Sequence, residues 1–186
     1  MIGKRMVLGA ILGFCAAPVM AGPWFHHEFG ELRAYHQDFL TVCANDGAGP
    51  CRTVQYLFDK NAPSPFGKGF FGEARLAVHR LPGGGYGLEI FNASWPDDPS
   101  GPFAISVDGH GFDLPQTAWV RISPEGYNVA ETISVSDPVL VADLLTAMKR
   151  GFFLRIESGD GDLVFSLSGL TASLHAIETN LKRQMQ

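Results

Sequence analysis

The chain lacks an excess of positive charge. Its 14 basic residues stand against 19 acidic ones, for a net charge of −5. A protein that grips a phosphate backbone needs surplus Lys and Arg to release counterions, so nucleic-acid binding is excluded as an expectation. Cysteine is also scarce, with three in 186 residues and no CxxC pair. No apolar run reaches the ~20 residues that a membrane-spanning helix needs. The motifs of common chemistries are missing too. There is no GxSxG elbow, no Walker loop, no GxGxxG opening a helix, and no HxH or HExxH metal spacing. Neither an internal repeat nor a long linker divides the chain. What remains is 46% hydrophobic with 11% aromatic residues, which excludes a disordered polymer and points to one folded domain.

The first residues read as an address. Lys4 and Arg5 precede an apolar run from Met6 to Val19, and Val19-Met20-Ala21 fits a small-x-small cleavage pattern. Residues 1–21 are therefore expected to be a secretory signal peptide cut between Ala21 and Gly22, leaving 22–186 as a single β-sandwich domain with no membrane span. A lipid anchor on Cys15 would need a small residue before it, and Phe14 stands there. Cleavage removes Lys4, Arg5 and Cys15. The mature chain is then more acidic and keeps only Cys43 and Cys51. Two cysteines in an exported protein are expected to pair. The segment between them, Ala44 to Pro50, is rich in turn formers. Two strands joined by that loop would bring the sulfurs together.

Along the mature chain the apolar pattern alternates. Phe39, Leu40 and Val42 lead into the first cysteine, and Val54, Tyr56 and Phe58 share a face after the second. Residues 73–81 and 86–92 flank Pro82-Gly83-Gly84-Gly85, a hairpin signal. Residues 61–69 and 92–102 read as loops. Further strands are marked by Phe103, Ile105 and Val107, by Ala118, Val120 and Ile122, and by Val129, Ile133 and Val135. Asp137 followed by Pro138 is an N-cap with proline at the first helical position. Leu140, Val141, Leu144, Leu145 and Met148 then recur at helical spacing, with Gly151 as the stop. Phe152, Leu154 and Ile156, then Leu163, Phe165 and Leu167, mark a hairpin. Leu170, Leu174, Ile177 and Leu181 trace a final amphipathic helix. The expected fold is mainly β: an antiparallel β-sandwich of about eight short strands, with two helices in the C-terminal third.

Candidate sites are few. Asp108-Gly109-His110-Gly111-Phe112-Asp113 carries two carboxylates, a histidine and two glycines. It reads as a strand-ending turn or as a ligand site built on Asp108, His110 and Asp113. It lacks the alternating acids of a calcium loop. Asp160 with Asp162 resembles half a calcium site or a solvated turn, and Asp97-Asp98 reads as a loop tip. Among the histidines, His26, His27 and His36 form the least implausible ligand set; His79, His110 and His175 are scattered. No metal and no cofactor is expected. Trp95 and Trp119, with Trp24, Tyr86 and Phe91, either line a binding surface or fill the core.

Three of these segments carry a family resemblance. They are the strand–Cys–short loop–Cys–Arg layout from Val42-Cys43 to Cys51-Arg52, the strand ending Ser106-Val107-Asp108-Gly109, and the C-terminal block. That block runs from the Leu140–Met148 helix through Arg150-Gly151 to Phe165-Ser166-Leu167-Ser168-Gly169-Leu170 and Thr171-Ala172-Ser173-Leu174. In this order, over most of residues 31–181, the chain resembles the invasion-associated locus B family and a related family of bacterial periplasmic proteins. The tryptophan that the family carries shortly before its first cysteine is replaced here by Phe39 or Tyr35. The resemblance implies a disulfide-containing β-sandwich of the periplasm or cell envelope and no catalytic residues. The functional expectation is a non-enzymatic module that binds an envelope protein or a small ligand. The rival expectation is a small hydrolase or metal-dependent enzyme using His110 with Asp108 or Asp113.

Overall fold

The computed structural model describes residues 22–57, 74–92, 103–122, 132–135, 137–158 and 161–185. The leader with Ala21, the loops at 61–69 and 93–102, Trp95, Asp97, Asp98, Val129 and Asp160 lie outside the described residues. The fold is mainly β, with two antiparallel sheets and two helices.

The first six strands form a meander: β1 (Phe25–His27), β2 (Glu31–His36), β3 (Phe39–Cys43), β4 (Cys51–Leu57), β5 (Ala74–Arg80) and β6 (Tyr86–Asn92). Two later strands, β9 (Trp119–Ile122) and β10 (Thr132–Val135), extend it to an eight-stranded sheet in the order β1-β2-β3-β4-β5-β6-β10-β9. The second sheet holds β7 (Phe103–Val107), β8 (His110–Leu114), β11 (Phe153–Ser158) and β12 (Gly161–Ser166), in the order β12-β11-β7-β8. Among the described residues the expected antiparallel β-sandwich with two C-terminal helices is present, with twelve strands where about eight were expected. The additions are β1, β2 and β8, short pieces whose sequences do not alternate cleanly between apolar and polar.

Register explains which face is buried. Ala34, Thr41, Thr53, Val78, Leu88, Val135 and Trp119 are successive cross-strand partners. They make one continuous row across the large sheet, and every member is buried. Strand side chains alternate faces, so this row defines the inner face. One hydrophobic core joins that face to Ile105, Val107, Leu154, Ile156 and Phe165 of the smaller sheet and to both helices.

Helix α1 (Pro138–Met148) starts as its sequence dictates. Asp137 accepts hydrogen bonds from the backbone N–H of Val139 at 2.9 Å and of Leu140 at 3.1 Å. Its end differs from expectation. Gly151 is not left-handed; a Cβ there would collide with the Val107 side chain, so glycine is required by close packing. Helix α2 (Leu170–Gln184) packs on β2, β3 and β4. Ser173 Oγ accepts a hydrogen bond from Thr53 Oγ1 at 2.9 Å, inside the core. At the far end, Glu178 accepts from Arg80 Nε at 2.8 Å and from Tyr86 Oη at 2.6 Å. Those bonds hold the Glu178 carboxyl below its ordinary pKa, Tyr86 first and Arg80 after, against the opposing effect of burial. Among the described residues no helix is long and apolar enough to cross a membrane.

Candidate functional site

The expected cysteine pair is in place. Cys43 and Cys51 are direct partners in the β3–β4 ladder, with Cα atoms 4.1 Å apart and sulfurs at bonding distance, 2.01 Å. The loop they close is tied to α2, because Asn180 Nδ2 donates to the Gly47 carbonyl at 2.9 Å and Gln184 donates to the same oxygen.

The Asp108–Asp113 segment divides into unlike parts. Asp108 and Gly109 have φ of 49° and 84°, the two left-handed residues of a tight hairpin turn between β7 and β8. The Asp108 carboxylate is already engaged. One oxygen accepts from Phe152 N–H and the other from Phe153 N–H, each at 2.9 Å. His110 and Phe112 share one face of β8 and meet edge to face at 5.2 Å. Asp113 lies on the opposite face, opposite Ala104 in the ladder. The three polar side chains therefore do not converge.

The histidine set is dispersed as well. His26 is exposed and pairs with Asp46 at 3.2 Å. His27 accepts from Phe29 N–H at 3.4 Å. His36 is buried at the other end of β2, on the inner face. Among the described residues, no three His, Cys, Asp or Glu side chains are grouped to hold a metal ion. Asp162 forms an ion pair with Arg155 at 2.7 Å. Trp119 is core: it is 6% exposed and packs edge-on against Phe103, with ring centres 5.0 Å apart.

The concavity of interest lies beside that aromatic pair. A cleft of about 640 Å3 is lined by Phe103, Ala104 and Ile105 of β7 and by Gly111, Phe112, Asp113 and Leu114 of β8, with Pro115 beyond them. That is within the range of ordinary ligand sites. Its walls come from both faces of the β7–β8 ribbon. Side chains on opposite faces share one cavity only where it passes round the margin of a sheet, and β8 is that margin. Asp113 is the sole charged residue in the lining. Of the residues singled out from the sequence, Asp113 lies in the wall, His110 is in contact with Phe112 of the wall, and Trp119 supports Phe103 from behind. The sequence does not mark the rest, because Phe103 and Ile105 read only as strand positions and Leu114 carries no signal of its own.

A second groove, of about 470 Å3, runs between Pro50, Leu81, Pro82 and the last turn of α2. Two of its charged groups are engaged: Arg80 and Glu178 bind each other, and Arg80 also donates to the carbonyls of Leu81 and Gly85. On the outer face of the large sheet, Glu31 accepts from Arg33 and Arg52. Burial works to raise its pKa, but Arg33 and then Arg52 hold it below the ordinary carboxylate value.

Comparison of the chain with family models, with curated proteins and with solved structures found no match.

Proposed function

We propose that this chain is an exported binding module of the bacterial periplasm or cell envelope, without catalytic activity, that holds an apolar group in the cleft along β7 and β8. The carrying observation is the cleft itself: an open groove of ligand size, bordered by Phe103, Ile105, Phe112, Leu114 and Pro115, with one carboxylate in its lining. Apolar walls favour removal of hydrocarbon from water, and a few polar groups orient the ligand. Export is supported by the leader-like residues 4–21 and by the Cys43–Cys51 pair, a device of oxidising compartments. The resemblance of the cysteine and C-terminal segments to the invasion-associated locus B family supports the same address.

A neutral apolar fluorophore, N-phenyl-1-naphthylamine, tests the cleft. Its emission is expected to rise saturably when the purified protein is added. Ala104 is exposed and lines the cleft, so Ala104→Trp fills the space without disturbing the core. That variant is expected to abolish the rise while its circular dichroism stays unchanged. An equal rise in the variant counts against the cleft as the binding site.

A further inference from the structure

The turn at Asp108-Gly109 decides which backbone groups of β8 are free. In a two-residue hairpin the flanking pair exchanges both ladder hydrogen bonds, and pairs then alternate between bonded and non-bonded. The flanking pair is Val107 with His110. Phe112 and Leu114 are bonded to β7 by the same alternation. Gly111 and Asp113 are the non-bonded positions, facing Ser106 and Ala104, so their N–H and C=O groups point away from β7. Among the described residues no strand pairs on that side, since β8 is last in its sheet. Both residues are exposed, and neither forms a backbone hydrogen bond outside the ladder.

A row of free backbone donors and acceptors is a template for another strand. Here it runs beside an apolar cleft. Gly111 has no side chain to obstruct an approach, and a Cβ built on it meets nothing within 4 Å. Asp113 has no ion-pair partner among the described residues. We infer that β8 receives an extended peptide segment of a partner protein as a fifth strand. Main-chain bonds form to Gly111 and Asp113, an apolar side chain enters the cleft, and a basic side chain reaches the Asp113 carboxylate. Backbone pairing gives such a complex its affinity, and the cleft and the carboxylate give it selectivity. A second copy of this chain fits the edge less well, because self-pairing would place like carboxylates on one face. This inference rests on the cleft being a binding site and assigns it a ligand class.

The test uses a blocked hexapeptide, acetyl-Lys-Val-Thr-Val-Thr-Val-amide, and hydrogen exchange read by NMR. At saturation the Gly111 and Asp113 amides are expected to slow at least about tenfold. Those of His110, Phe112 and Leu114, bonded to β7, are expected to be slow in the protein alone. N-methylation at the peptide positions that face β8 is expected to abolish binding, and methylation at the alternate positions to leave it. Exchanging the peptide Lys for Glu is expected to weaken binding about fivefold, a difference that Asp113→Asn removes. Binding that leaves the 111 and 113 amides unchanged overturns the strand inference and spares the cleft. A dimer in sedimentation, with those amides protected in protein alone, gives the edge to a second copy and also overturns it. Failure of the fluorophore together with the peptide removes the cleft reading itself.

Discussion

Gly169 packs directly against the carbonyl of His36, and a Cβ at position 169 would collide with that oxygen. Gly169 also has φ of 92°, where side chains are strained. The contact fixes the start of α2 against the β2–β3 turn, and it is reinforced by Asp38 N–H donating to Ser168 C=O at 3.3 Å and by Ser168 with Gln37. Gly169→Ala must therefore move backbone as well as bear strain. A loss of at least about 2 kcal/mol is expected, which lowers Tm by roughly 4–8 °C for a chain of this size. An unchanged melting curve would show that the junction yields freely.

His36 itself makes stability depend on pH. It is 3% exposed, and neither ring nitrogen has a hydrogen-bond partner. Thr41 Oγ1 and Gln55 Oε1, on the same inner face, are also unpartnered, and the buried α2 residues above them are uncharged. Burial lowers the His36 pKa below 6.5. The unfolded chain therefore takes up a proton at a higher pH than the native one. Stability is fully present above pH 6.5 and falls as pH drops below that value, by at most about 1.4 kcal/mol per unit, until the native ring also titrates. Urea unfolding at pH 7.5 and 5.5 is expected to show this decline in the native sequence and a smaller one in His36→Leu. Glu31, Glu89 and Glu178, all held below 4.5, act at lower pH.

What could be read from the sequence was what is local. Asp137-Pro138 declares its helix because an N-cap and a proline act within one turn. Pro82 to Gly85 declares its hairpin for the same reason. β8 escapes sequence reading because His110-Gly111-Phe112-Asp113-Leu114 is short and sets only Phe112 and Leu114 on its apolar face, with a histidine beside them and only Gly111 and Asp113 on the other face. Yet the Asp108-Gly109 dipeptide before it is a hairpin signal in its own right. The cleft was invisible for a different cause. It depends on Phe103 pairing with Leu114 and on β8 having no outer neighbour, which are facts of topology. Trp119 shows the limit of composition: a tryptophan on a strand fits a platform or a core until its cross-strand partner, Val135, is known.

Asp108 holds two elements together, so its substitutions separate two effects. Asp108→Ala loses the acceptor for both Phe152 and Phe153 N–H and a residue type tolerant of positive φ. Asp108→Asn keeps the turn preference and one acceptor oxygen. Because the site is exposed, the losses are discounted to about 1–2 kcal/mol for Ala and about half that for Asn. Guanidinium titration checks the order. An Asn variant as unstable as Ala would mean that the turn contributes little and the charge-assisted bonds dominate.

The Cys43–Cys51 bridge is expected to stabilise the fold through two routes that a double-mutant cycle separates. The link closes a loop with a sequence separation of eight, which by the loop-entropy account contributes about 2–3 kcal/mol. It also steadies the strand ends that present Gly47, whose carbonyl receives Asn180 and Gln184 from α2. Asn180→Ala alone leaves a buried carbonyl short of one donor, at a cost of about 1 kcal/mol. If the bridge acts only on the unfolded chain, Cys43→Ser with Cys51→Ser and Asn180→Ala add independently. If it also holds the loop under α2, the losses overlap, because once the loop is loose the Asn180 bond is already weakened. A coupling of at least about 0.5 kcal/mol in denaturation experiments is expected, with the combined variant less destabilised than the sum. Strict additivity would confine the bridge to the unfolded ensemble and leave the docking of α2 to Ser173, Glu178 and its apolar face.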